Sequence, residues 1–284
     1  MEAYVMDAFS ARVFGGNQAG VALPERELSD ALMQQVAAEF KHSETAFVRV
    51  EEDGSVTLRY FTPAGEVELC GHATVASFAL LRQLGRIGDG DVTAHTRAGE
   101  LSVTVRGGTV WMDMAAPRLL RELGEDEWAA FYEAYGLTAE DRPEGLTPAI
   151  VSTGLADVML PVRDHDTLMR AVQNEAAVTA LSKKYDVTGV HMFCLGDSCT
   201  AYCSNYAPLY DIPEECATGT SNGALTYYLY LRGIVQPERE NVFLQGEHMN
   251  RPSEIRSRLY EKDGAVNVRV GGSAVMSMAC DVKI

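Results

Sequence analysis

One pattern occurs twice in this 284-residue chain. A loop carrying a proline leads through an acidic residue to a cysteine, then to small residues, then to a run that is apolar on nearly every side. In the first copy Pro63 precedes Cys70 by seven residues, and Gly71-His72-Ala73-Thr74 leads into Val75 to Leu81. In the second, Pro208 precedes Cys216 by eight, and Ala217-Thr218-Gly219-Thr220-Ser221-Asn222 opens a helix predicted over Gly223 to Leu231. A helix that is apolar all round is enclosed rather than laid on a surface, so each copy predicts a buried helix inside its own lobe. Two long copies point to two similar lobes; the shorter units of a solenoid would recur more often.

Strands are expected at 3–9, 45–50, 56–61, 92–96, 101–105 and 110–114 in the first half, with a turn at 15–17 before an apolar run at 19–23, and at 149–152, 157–162, 188–195 and 199–204 in the second. A helix fits Ser29 to Phe40, with Ser29 as N-cap and Leu32, Val36 and Ala37 on its apolar face; further helices fit 166–184. Ala115-Ala116-Pro117 followed by a charged helix marks a lobe boundary. The expected lobes are 1–116 and 117–284, with the last strand able to return to the first.

Charge narrows the partners. Lys and Arg number 24 against 40 Asp and Glu, a formal charge of −16, which repels nucleic-acid phosphates and anionic membrane surfaces. There is no apolar run of transmembrane length and no basic, apolar leader at the N-terminus, so a cytoplasmic protein with reduced cysteines is expected. Cys194, Cys199 and Cys203 lie in alternating apolar surroundings around the turn Gly196-Asp197-Ser198, and so read as buried thiols in two strands rather than zinc ligands. No metal and no cofactor are expected.

Cys70 and Cys216 differ from those three, because both are predicted at a helix N-terminus, where free N–H groups and the helix dipole stabilise a thiolate or hold a carboxylate. If the lobes face each other, one thiol can remove a proton from a carbon while the other returns one, without a cofactor. The bland alternative is that each is a buried small hydrophobe. Gly71, His72 and Ala73, and Thr218, Gly219 and Thr220, suit the backbone binding of a small anion, or are simply N-caps. Glu44 opens an apolar strand; it is a candidate acid/base with a pKa raised by burial, or an exposed strand-end carboxylate. Asn17 orients substrate or merely turns the chain. Tyr206, Tyr210 and His191 are candidates for substrate selectivity.

Five ordered blocks resemble PhzF-like proteins of phenazine biosynthesis: Gly16-Asn17-Gln18-Ala19-Gly20-Val21-Ala22-Leu23, Ser43-Glu44-Thr45-Ala46-Phe47, Cys70-Gly71-His72-Ala73-Thr74, Thr218-Gly219-Thr220-Ser221-Asn222, and Arg251-Pro252-Ser253 with Val270-Gly271-Gly272. The resemblance implies the α+β fold of diaminopimelate epimerase, with two similar lobes, each a curved mixed β-sheet around a central α-helix, and often a homodimer. It also implies isomerase activity, in phenazine synthesis on trans-2,3-dihydro-3-hydroxyanthranilate, with a Glu matching Glu44 as acid/base. His72 and an Asp position filled here by Glu215 match its assistants. Where that family reads Asp-Pro-Val-Thr-Gly, this chain has Glu215-Cys216-Ala217-Thr218-Gly219, similar to the Ala-Cys-Gly-Thr-Gly motif of two-thiol racemases and epimerases. The leading expectation is therefore a cofactor-independent isomerase that moves a proton beside a carboxylate, as an amino-acid racemase or epimerase using Cys70 and Cys216. The alternatives are a PhzF-type isomerase centred on Glu44, a non-catalytic small-molecule binding protein and a thiol redox protein.

Overall fold

A computed structural model describes all residues, Met1–Ile284. The chain divides into two compact units, Met1–Asp113 with Gly271–Ile284, and Met114–Val270.

In the first unit β1 (Glu2–Ala8) and β2 (Asn17–Leu23) pair antiparallel, with Ala8 opposite Asn17. The turn between them requires Gly16. Its φ is 62°, and a Cβ there would lie 2.1 Å from the Ala8 carbonyl oxygen. Helix α1 (Asp30–Phe40) starts where predicted: the Ser29 side chain accepts from the Leu32 N–H, and Met33, Val36 and Ala37 face the core. The chain then enters β3 (Thr45–Val50), parallel to β2, and turns into β4 (Val56–Phe61), antiparallel to β3. Two residues, β5 (Glu66–Val67), pair back on β4 before α2 (Gly71–Gln83) begins. β6 (Gly90–Thr96) lies parallel to β4, and β7 (Gly99–Arg106) and β8 (Thr109–Asp113) follow as antiparallel neighbours.

The second unit opens differently from the prediction. Instead of a charged helix directly after Pro117, β9 (Arg118–Glu122) pairs with β10 (Ala149–Ser152), and α3 (Glu125–Glu133) comes after it. All five residues of β9 are exposed, while all four of β10 are buried. The ladder bonds that β10 needs outweigh the helical look of Arg118-Leu119-Leu120-Arg121-Glu122. From β10 the plan of the first unit repeats. β11 (Ala156–Pro161) is antiparallel to β10; α4 (His165–Arg170) and α5 (Glu175–Tyr185) lead to β12 (Gly189–Leu195), parallel to β11. β13 (Ala201–Ala207) is antiparallel to β12, and the short β14 (Ile212–Glu215) pairs back on it before α6 (Gly219–Leu231). β15 (Glu240–Gln245) is parallel to β13 and β16 (Ser253–Lys262) antiparallel to β15. β17 (Ala265–Gly272) runs past the second division, and β18 (Ala274–Asp281) pairs with β1.

Each unit thus encloses a helix of thirteen residues. α2 buries Val75, Phe78, Leu80 and Leu81; α6 buries Leu225, Tyr228 and Leu229. Each large apolar side chain so enclosed contributes about 1.5–3 kcal/mol. Their buried hydroxyls are satisfied within the helix: Ser77 donates to the Ala73 carbonyl and Thr226 to that of Asn222. α6 begins four residues earlier than Gly223, because Thr218 caps it and the Asn222 N–H already bonds the Thr218 carbonyl at 3.2 Å. No helix is long and apolar enough to cross a membrane.

Candidate active site

In the first unit three chemistry-bearing side chains meet. Glu44 lies between α1 and β3, and its carbonyl accepts from the Gly20 N–H at 3.0 Å, which pins the backbone at the start of β3. Cys70 is the N-cap of α2, with an extended backbone at φ −140°. His72 is the second residue of that helix. Its Nε2 lies 3.2 Å from Glu44 Oε2 and its Nδ1 3.4 Å from Cys70 Sγ. Ser43 Oγ is 3.4 Å from Nε2. The Glu44–His72 approach is an ion-pair distance without hydrogen-bond alignment, so Oε2 is buried with no aligned donor.

Burial disfavours the charged form of Glu44, but the contacts from His72, Ser43 and Cys70 outweigh it and hold the carboxyl below its ordinary range. The sequence predicts a raised value; the correction comes from His72, which sequence spacing did not bring to Glu44. For Cys70 burial dominates and raises the thiol, against the opposing pull of His72. For His72 burial favours the neutral ring, but Cys70 and then Glu44 outweigh it and lift the imidazole well above its ordinary value. The Glu44 carboxylate, 3.2 Å from Nε2, is one of the two groups that favour the imidazolium. Gly71 and Ala73 lie in the same first turn, and Asn17 is buried at the start of β2.

In the second unit the corresponding region is held by amides and hydroxyls. Thr218 Oγ1 donates to Glu215 Oε2 at 2.7 Å. Gln245, at the end of β15, clamps the loop: its Nε2 donates to the Glu215 carbonyl at 2.6 Å and to Thr218 Oγ1 at 3.1 Å, while its Oε1 accepts from the Thr218 N–H and from Asn222 Nδ2. Cys216 is buried two residues ahead of the Thr218 cap. Gly246 passes so close that a Cβ there would lie 2.7 Å from the Cys216 carbonyl oxygen. Cys70 and Cys216 therefore occupy different places relative to their helices. Gly219 and Thr220 form the first turn of α6.

A deeper network in this unit joins Asp157, Ser221, Asn205, His191 and Asn222. Burial raises the Asp157 carboxyl and pushes His191 down to about 4. His191 is completely enclosed and Tyr206 packs on Tyr135 at 4.9 Å between ring centroids, so both are interior residues, whereas Tyr210 is exposed. Cys194 and Cys203 are buried and Cys199 half-buried; burial pushes the Cys194 thiol up to about 12. Sequence reasoning missed Gln245. The available signal was a glutamine in phase with Asn241 and Phe243 on the buried face of β15.

Comparison with known proteins places this geometry in context. The family model for phenazine biosynthesis-like proteins matches residues 6–280. The uncharacterized isomerase YddE of Escherichia coli O157:H7 is 31% identical over 285 residues, covering 97% of this chain and 96% of that protein. A phenazine biosynthesis protein of the PhzF family from Bacillus anthracis superposes with a TM-score of 0.89 at 25% identity, covering 100% of this chain and 99% of that one. A predicted epimerase from Pseudomonas aeruginosa gives 0.79 at 27% identity, covering 99% and 98%. The α+β class of mixed sheets around buried helices is common to these structures.

Proposed function

Since the chain belongs to the phenazine biosynthesis-like protein family and is an isomerase, we propose that it moves a proton at a carbon of a small carboxylate-bearing substrate, without a cofactor, and that Glu44 is the group that carries the proton. The observation behind this choice is the Glu44 Oε2 atom, which is buried, lacks an aligned donor and lies 3.2 Å from the imidazole of His72. Ionised at neutral pH, Glu44 accepts the substrate proton. The adjacent imidazolium favours the negative charge that develops on the substrate. The protonated carboxyl then returns the proton to a carbon, completing an isomerisation in which no atoms are gained or lost. In the second unit taken by itself, the N–H groups in the first turn of α6, at Gly219 and Thr220, are proposed to suit a small anion, with Glu215 and Thr218 shaping that turn. Asn17 is proposed to orient the substrate. A homodimer belongs to the same proposal, to be checked by light scattering.

The test is proton-to-deuteron exchange followed by NMR in D2O over a panel of amino acids and small cyclic carboxylates. The wild type is expected to exchange one carbon-bound proton beside a carboxylate, and Glu44→Gln to lower that rate by about 10²–10⁴-fold. Undiminished exchange in Glu44→Gln would overturn the proposal.

A second assignment gives the transfer to Cys70 and Cys216, as in two-thiol racemases. It is favoured by the burial of both thiols just ahead of the enclosed helix of their own unit. The raised pKa of Cys70 weighs against it, because the thiolate is the reactive species. Exchange on an amino acid that inverts its centre and vanishes in Cys216→Ser would support the thiols instead.

A further inference from the structure

An unbroken chain of side-chain hydrogen bonds runs through the second unit from Asn205 to Glu215, two residues that already face each other as partners in the β13–β14 ladder. We infer that His191, enclosed near the start of this chain, is a positioning residue: its tautomer fixes the direction of every bond that follows, and so holds Thr218 and Glu215 in the arrangement that lets the first turn of α6 take a small anion. The inference rests on the reading of that turn as an anion site and adds the group that controls it.

The direction follows from what each group can donate. The Ser221 hydroxyl gives its one hydrogen to Asp157 Oδ2 at 2.5 Å, so its oxygen accepts from Asn205, at 3.0 Å, and Asn205 must present Nδ2. The same Nδ2 lies 3.2 Å from His191 Nδ1. Burial pushes His191 down to about 4, so the ring is neutral at neutral pH; with Nδ1 as acceptor, its single hydrogen sits on Nε2. Nε2 then donates to Asn222 Oδ1 at 3.3 Å, which turns Asn222 Nδ2 towards Gln245 Oε1 at 2.8 Å and the Thr218 carbonyl at 2.9 Å. Gln245 in turn presents Nε2 to Thr218 Oγ1 and the Glu215 carbonyl, and the Thr218 hydroxyl hydrogen goes to Glu215 Oε2. The opposite tautomer would set N–H against N–H at Asn205 and a bare nitrogen against an oxygen at Asn222. His191, Asn222 and Gln245 are no more than 1% exposed, so solvent cannot repair either mismatch. At its far end the chain also occupies the Thr218 N–H, through Gln245 Oε1 at 3.3 Å, while Thr153 Oγ1 holds the Thr220 carbonyl at 2.8 Å. The next N–H groups, of Gly219 and Thr220, lie in the first turn of α6 and have no carbonyl four residues back within the helix.

The test begins on the full-length wild-type protein, with heteronuclear NMR of the histidine ring nitrogens, the His191 signals being those missing from His191→Gln. The expected spectrum at neutral pH has hydrogen on Nε2 and none on Nδ1; hydrogen on Nδ1 would overturn the inference. Acetate is then titrated at constant ionic strength while the Gly219 and Thr220 amide resonances are followed. Glutamine carries a neighbouring acceptor and donor, as the neutral ring does, so His191→Gln should bind acetate within about twofold of wild type, whereas His191→Leu should bind it about tenfold more weakly. Asn222→Asp keeps the shape but, once ionised, cannot donate to Gln245; it should weaken binding to a similar degree, and it carries the test if the leucine variant does not fold. Unchanged affinity in a folded His191→Leu or in Asn222→Asp would overturn the positioning role. So would a loss in His191→Gln as large as in His191→Leu, which would make packing rather than hydrogen-bond direction the cause. Wild-type amides that ignore acetate would overturn it together with the anion reading, and leave proton transfer by Glu44 standing.

Discussion

The two units run through the same succession of strand pairings yet load it differently. From β1 in one and β10 in the other, the ladders follow the order antiparallel, parallel, antiparallel, parallel, antiparallel. In the first unit the residue before β3 is Glu44 and the helix cap is Cys70; in the second the residue before β12 is Thr188 and the cap is Thr218. One region therefore gathers titratable groups and leaves a carboxylate oxygen unaligned, while the other spends its donors and acceptors on itself through Gln245. A repeated scaffold fixes where side chains can meet but does not dictate what they do. The carboxylate set against His72 is the group proposed for the chemistry, and the network around Gln245 is its support.

That contrast is open to direct attack. The largest effect is expected from Glu44→Gln, with isomerase kcat/KM down by about 10²–10⁴-fold and little change in melting temperature. A variant that melts early and remains active would reverse the roles assigned to the two regions.

His191 provides the next test, in the second unit. Its folded pKa of about 4 lies below the ordinary 6.5, so the unfolded chain binds the proton more readily. The stability it contributes is present above pH 6.5 and is lost as pH falls towards 4, by up to about 3 kcal/mol. Asp157, raised by burial, acts in the opposite sense. The readout is therefore the difference between wild type and His191→Gln in denaturant midpoints at pH 7 and pH 4.5, and the variant should lose less. Parallel losses in both proteins would remove His191 from the account.

Gln245→Leu should cost about 2 kcal/mol, because it strands the Thr218 N–H and the Glu215 carbonyl together. Urea titration should show a lower midpoint at an unchanged slope. A loss below about 0.5 kcal/mol would mean that water replaces the clamp. Ser29→Ala, at the exposed start of α1, should cost about 1 kcal/mol through the lost cap and leave activity intact.

Much of this architecture was legible in the sequence. The enclosed helices were visible because they are apolar on every face, and α1 because Ser29 and its periodicity agree. β9 was hidden, since five exposed residues carry no periodic burial signal and only their partner β10 explains them. The start of α6 was hidden because Thr220, Ser221 and Asn222 look like loop residues until their inward bonds are seen. Glu44 and His72 were each recognised, but their contact links residues 28 apart in sequence, and with it went the direction of the Glu44 pKa. The two cysteines looked equivalent by spacing from a proline. Their helix caps separate them.

The most direct test of the central claim, that one carboxyl in the first unit both removes and returns the proton, uses substrate deuterated at the reacting carbon. A single turnover in H2O is followed by mass analysis of the product. Glu44 as sole carrier predicts that part of the deuterium reappears in the product, at a rate unaffected by Cys216→Ser. Product carrying only solvent hydrogen, formed at a rate that collapses in Cys216→Ser and survives in Glu44→Gln, would contradict it.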